Sequence, residues 1–193
     1  MWQIPLAAIF THFHANSWWI HNRIAVESIG YMKFSQLDHV LELEPGKRIR
    51  AVKRLSPDEQ YLKDHFPRFP VMPGVIMLEA LYQACCWLVR QSEGFAHSVV
   101  LLKEARNVKY SGFVAPGQTM SVTAEILKQD ELFTTLKAQG TVNESVAVTG
   151  RLVLERFNLA DRHPLRKDTD PYTRNETRKV LAKLMSPPRG EPG

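Results

Sequence analysis

Residues 75–90 read VIMLEALYQACCWLVR, a run that is apolar on nearly every face of a helical wheel. Its Leu, Ala, Met, Gln and Glu content favours helix, and Pro73 just ahead of it suits a first turn, where no N–H is needed. A helix without a polar face has to be buried all round. In a chain of 193 residues only a sheet wrapped around the helix does that. Six strand-like runs are available. LDHVLELE and KRIRAVKRL precede the helix and alternate roughly with period two on either side of Pro45-Gly46. SVVLLKEARNVKY, TMSVTAEILKQ, LFTTLKAQGTV and SVAVTGRLVLERF follow it, punctuated by Pro116-Gly117, Gln129-Asp130-Glu131 and Asn143-Glu144. The order strand, strand, helix, four strands predicts an α+β domain with one long central helix and an antiparallel sheet.

At about 150 residues per domain, the chain holds one domain and roughly 40 residues of extensions. We place the domain at residues 32–159. Residues 1–31 hold three of the four tryptophans and three of the seven histidines, but only two charged residues, Arg23 and Glu27. They read as a poorly structured N-terminal extension, with Met32 as a candidate translation start. His12 and His14 lack the carboxylate or cysteine that would complete a metal site. Residues 160–193 form a basic tail with five prolines, and Thr173-Arg174-Asn175-Glu176 within it matches a capping box ahead of Val180, Leu181, Leu184 and Met185. Ser56-Pro57-Asp58-Glu59 reads as a short helical turn capped by Ser56.

Composition narrows the function. The net charge of +5 comes without a dense basic run interleaved with aromatics, so no nucleic-acid partner is expected. No apolar run reaches the roughly 18 residues of a membrane span. The start, MWQIPLAAIF, lacks the basic flank of a secretory signal, and a cytoplasmic location is expected. Cys85 and Cys86 are adjacent, cannot staple distant segments, and read as core filler on the helix.

The chemistry concentrates in HFPRFPVMPGVIMLE, residues 65–79. A histidine sits in a proline-braced loop, and a glutamate sits about two turns into an apolar helix. Desolvation among Leu78, Ala80 and Leu81 raises a carboxyl pKa, so Glu79 can hold a proton near neutrality. A neutral His65 can take one. An acid and a base facing one substrate suit an elimination. On spacing alone, a surface histidine and a solvent-facing glutamate remain open as the competing description. His39, His97 and His163 read as structural or exposed. No GxSxG, GxGxxG, Walker or HExxH motif is present.

The pattern H-F-P-x-x-P-x-M-P-G-V-x-x-x-E-A-x-x-Q is supplied by His65, Phe66, Pro67, Pro70, Met72, Pro73, Gly74, Val75, Glu79, Ala80 and Gln83. It resembles the active-site signature of the hot-dog-fold 3-hydroxyacyl-[acyl-carrier-protein] dehydratases of bacterial type II fatty acid synthesis. The resemblance covers roughly residues 33–157. It implies a hot-dog fold and dehydration of a 3-hydroxyacyl thioester to the trans-2-enoyl thioester. His65 and Glu79 are then the catalytic pair, and the Gly74 amide binds the thioester carbonyl. Phe66, Pro67, Pro73 and Gln83 line the substrate pocket. No metal or redox cofactor is implied. The partners implied are acyl carrier protein and a second copy of the chain, as a homodimer or an oligomer of dimers, with His65 and Glu79 meeting across the interface. The chain departs from the family at Asp64, where glycine is usual, and at Arg68 and Phe69, where small or polar residues are usual. The dehydratase–isomerase branch has Asp where this chain has Glu79, so dehydration alone is expected. A hot-dog acyl-thioesterase and a non-catalytic acyl-carrier-binding relative are the alternatives.

Overall fold

The structure, a computed structural model, describes residues 34–187. The expectations for residues 1–31, including Met32 as a start and the His12/His14 pair, lie outside the described residues. Strands β1 (His39–Glu44) and β2 (Arg48–Arg54) precede a 3-10 turn at Gln60–Lys63 and the long helix α1 (Gly74–Ser92). Strands β3 (Val99–Tyr110), β4 (Thr119–Gln129), β5 (Phe133–Val142) and β6 (Ser145–Phe157) follow. The chain continues through α2 (Leu159–Arg162), a 3-10 turn at Pro164–Arg166, and α3 (Thr169–Met185).

The six strands form one sheet in the order β1-β2-β4-β5-β6-β3, and every pairing is antiparallel. Alternate residues face α1, as the two-residue period of a strand requires. Ile49 and Ala51 on β2, Met120, Val122 and Ala124 on β4, Leu136 and Ala138 on β5, and Leu152 and Leu154 on β6 are buried. Against them lie Met77, Ala80, Leu81, Ala84, Cys85, Leu88 and Val89 of α1. Helix α1 touches all six strands. The architecture is the α+β hot-dog arrangement, with an antiparallel sheet curled around one helix.

Three local expectations are corrected. First, α1 is not sealed on every face. Val75 is 67% exposed, and Ile76, Glu79, Gln83 and Cys86 are only half-buried. These residues follow helical spacing, so one chain's sheet leaves one stripe of the helix uncovered. Second, the turn after β2 becomes helical only at Gln60. Ser56 instead accepts a hydrogen bond on its Oγ from the Asp58 amide at 3.2 Å. Third, α3 starts at Thr169, so Thr173 lies inside the helix and is buried rather than capping it. Pro171 falls in the first turn, where it does not interrupt the helix. The capping box found in this region belongs to α2, between Asn158 and Asp161.

Helix α3 packs back on the domain through buried Leu181 and Leu184. Asp170 is buried and accepts from the Leu159 amide at 2.8 Å, the Ala160 amide at 3.0 Å and the Ser98 hydroxyl. Arg174 and Arg178 donate to the carbonyls of Ala96 (3.1 Å) and Gly94 (2.7 Å), and Arg178 lies over the Phe95 ring. These contacts clamp the connection from α1 to β3, where Gly94 and Phe95 both adopt left-handed backbone angles (φ 57° and 59°). Buried Arg156 reinforces the same end of α1 by pairing with Glu93 and donating to the Asp130 carbonyl.

Candidate active site

The proline-dense loop that ends at α1 is anchored at both ends. The His65 amide donates to Tyr61 O at 3.1 Å, the Val71 amide to His65 O at 3.1 Å, and the Met72 amide to Val114 O at 2.9 Å. Val71 and Met72 are almost fully buried and fix the loop on the domain. The His65 ring is thereby held in one orientation, with Nδ1 3.1 Å from Val71 O and the ring stacked on Phe66 at a centroid distance of 4.2 Å. A carbonyl oxygen only accepts, so the neutral ring carries its proton on Nδ1 and its lone pair on Nε2. Nε2 is therefore the basic atom.

Gly74 is the first residue of α1, after Pro73 as N-cap. Pro73 O accepts from the Ile76 and Met77 amides at 2.9 and 3.1 Å. The Gly74 and Val75 amides have no hydrogen-bond partner among the described residues. They sit at the positive end of the helix dipole, where an oxyanion is stabilised. A Cβ at Gly74 would come within 3.0 Å of Tyr110 Cε1, so the ring of β3 closes over this glycine.

Glu79 lies on the open stripe of α1. Burial holds its pKa above the ordinary 4.5, against a smaller opposing effect of a hydrogen bond from Gln83. That bond runs from Gln83 Nε2 to Glu79 Oε1 at 2.9 Å. Gln83 Oε1 in turn accepts from the Gln36 amide at 2.8 Å. Within one chain, His65 and Glu79 share no hydrogen bond or ion pair.

The structure joins His65, Phe66, Pro67, Pro73 and Gly74 in one continuous loop and helix start, and places Glu79 and Gln83 one turn apart on the helix. Phe66 and Pro67 are exposed, while Pro73 and Gln83 are half-buried. Three neighbours went unnoticed in the sequence reading. Gln36 acts through its backbone amide, which no residue type advertises. Tyr110 ends a strand and gave no motif. Phe113 meets Phe69 edge-to-face at 5.7 Å, and only the unusual Phe69 hinted at an aromatic pair. Among the described residues no group of three or more His, Cys, Asp or Glu could hold a metal ion. None of their helices is long and apolar enough to cross a membrane.

Residues 30–151 match the model of the FabA-like domain. The chain belongs to that family. Among curated proteins, the FabA-like domain is similar to the 3-hydroxyacyl-[acyl-carrier-protein] dehydratase FabZ of Levilactobacillus brevis, at 36% identity over 60% of this chain and 78% of the relative. It is equally similar, at 36%, to the FabZ of Ruminiclostridium cellulolyticum, over 62% of this chain and 84% of the relative. Among solved structures it resembles a chain of the dehydratase heterocomplex ApeI:P from Xenorhabdus doucetiae, with a TM-score of 0.57 and 20% identity. That match covers 71% of this chain and 92% of the other. Zebra fish thioesterase superfamily member 2 superposes with a TM-score of 0.52 at 18% identity, covering 70% and 92%. At these identities the two structures speak for the fold, which dehydratases and thioesterases share.

Proposed function

We propose that this FabA-like domain dehydrates a 3-hydroxyacyl thioester carried on acyl carrier protein to the trans-2-enoyl thioester. The observation that carries the reading is Glu79, a carboxyl inclined by burial to keep its proton, on the helix whose first amides are free to bind an oxyanion. The names of the curated relatives supply the substrate class.

The thioester carbonyl oxygen accepts from the Gly74 amide, which stabilises negative charge as the α-carbon becomes acidic. His65 Nε2 removes the α-proton. The C–H electron pair becomes the Cα–Cβ double bond, and the Cβ–O bond breaks. Glu79 donates its proton to the departing hydroxyl, which leaves as water. The enzyme is left with an imidazolium and a carboxylate, and transfer of one proton between them restores the starting state. Phe66, Pro67, Pro73 and Gln83 bound the pocket. The longer side chain of Glu79, compared with Asp, favours elimination without isomerisation.

We infer further that the working unit is a homodimer. His65 and Glu79 share no hydrogen bond or ion pair within one chain, and the open stripe of α1 that bears Glu79 is the surface a second copy would cover. Residues 32–159 are then the catalytic domain, and residues 160–187 brace it. A carrier-bound substrate supports a cytoplasmic setting.

The test incubates the protein with 3-hydroxyacyl carrier thioesters and follows products by mass spectrometry. Loss of water to the trans-2-enoyl thioester is expected, with a 10²–10⁴-fold loss of rate in His65→Ala and in Glu79→Gln. Release of free 3-hydroxy acid would point to a thioesterase. An unaltered substrate would point to a binding protein. Appearance of a cis-3-enoyl product would overturn the restriction to dehydration.

A further inference from the structure

We propose that the segment just before β1 is part of the active site: the backbone amide of Gln36 fixes the orientation of the Gln83 carboxamide, which fixes the Glu79 carboxyl and directs its proton to Oε2. This rests on the assignment of Glu79 as the proton donor.

The argument is one of donors and acceptors. A carboxamide has one accepting and one donating end, and it can serve Glu79 in either of two flips. The Gln36 amide can only donate, and at 2.8 Å it takes the Gln83 oxygen. The nitrogen must then face Glu79, where it donates to Oε1 at 2.9 Å. A donor at Oε1 leaves no room for a proton on that atom. The acidic proton belongs on Oε2, which has no hydrogen-bond partner among the described residues. The flip is set from 47 residues away, by a residue whose own side chain is not needed for it. Gln36 is buried against the domain, so the amide is held in place.

The relay has a second effect. A donor to the carboxylate opposes the upward pull of burial and keeps Glu79 able to give its proton away. The other titratable groups that reach Glu79 are Tyr82 and Cys86 on the same helix. Burial raises both, the Cys86 thiol to about 12, so neither changes charge over the working range. In the proposed dimer, His65 of the second copy also faces it.

The test reads the Glu79 carboxyl carbon by ¹³C NMR titration, assigned by its absence in Glu79→Gln. It is recorded in the His65→Ala background so that the histidine does not titrate alongside. Gln83→Met removes the donor and is expected to raise the Glu79 pKa by about 1 unit. Gln36→Pro removes the amide proton together with the side chain and is expected to raise it by less, because the freed carboxamide samples both flips. Gln36→Ala keeps the amide and is expected to leave the titration where it is. In the unsubstituted Gln36 and Gln83 protein, the Gln36 amide cross-peak should itself move with the Glu79 titration, and Gln83→Met should abolish that movement. This measurement stands even if the proline variant fails to fold. A Glu79 titration unaffected by Gln83→Met, or an amide peak that ignores it, overturns the relay. So does Gln36→Ala shifting it as far as Gln36→Pro. If instead Glu79→Gln keeps full dehydratase activity while the titrations behave as expected, the relay holds and the assignment of Glu79 as acid fails.

Discussion

Two side-chain environments at the site carry measurable consequences. Gly74 has an ordinary backbone conformation, so the demand for glycine there is steric and comes from the Tyr110 ring. Gly74→Ala should cost about 1–3 kcal/mol in urea denaturation, the usual range for a forced close contact, and should lower kcat through displacement of the amide we propose to bind the oxyanion. Adding Tyr110→Leu should recover most of the stability. Glu79 makes the opposite kind of prediction. A carboxyl whose folded pKa lies above its ordinary 4.5 holds its proton more tightly in the fold than in the unfolded chain. The fold therefore loses stability as pH rises through the folded pKa. Glu79→Gln is neutral at all pH, so it should melt at a higher temperature than the parent above that pKa. The gain should disappear below about pH 4.5. The partial desolvation of Glu79 and the braced loop around His65 were legible in the sequence because a proline-rich loop and an apolar helix are local environments. The Gln83 and Gln36 connections were not, because they depend on a backbone amide brought in from another element.

At the scale of elements, all six strands and the central helix could be read from periodicity and punctuation, to within one or two residues at most ends. The errors fell where a local rule met a tertiary one. The capping-box match at Thr173 is chemically sound, but the buried acceptor Asp170, pinned by three donors from Ser98, Leu159 and Ala160, draws the helix start toward itself. Asp170→Ala should strip those donors of their partner and cost about 2–3 kcal/mol, a typical penalty for leaving buried polar groups unpaired. Limited proteolysis should then cut first near residues 164–168. Because Arg174 and Arg178 reach the α1–β3 connection, loosening α3 should also raise amide exchange at residues 94–96. The all-round apolar helix misled in a different way. Its hydrophobicity was correctly read as burial, but one chain's sheet does not provide all of it.

For the whole molecule, the uncovered stripe of α1 makes assembly part of the catalytic question. His65→Ala and Glu79→Ala should each be nearly inactive, and mixing them under conditions that exchange subunits should restore about one quarter of the parent's active sites. Half of the dimers are then mixed, and each holds one intact site. Activity fixed at the single-variant level, with exchange shown independently, would rule out a shared site. The order of strands bears on a different stage of the protein's life. β3 is the third strand to be synthesised, yet its neighbour in the sheet is β6, the last. Tyr110 ends β3 and Phe157 ends β6, 47 residues later. At the usual ribosomal pace of about 5–20 residues per second, β3 waits roughly 2–10 s for its partner. A twelve-residue extended segment without a partner invites pairing with other nascent chains. Lys103, Glu104, Arg106 and Lys109 are spaced along it. Those charges keep the waiting strand soluble, a task that ends only when β6 leaves the exit tunnel.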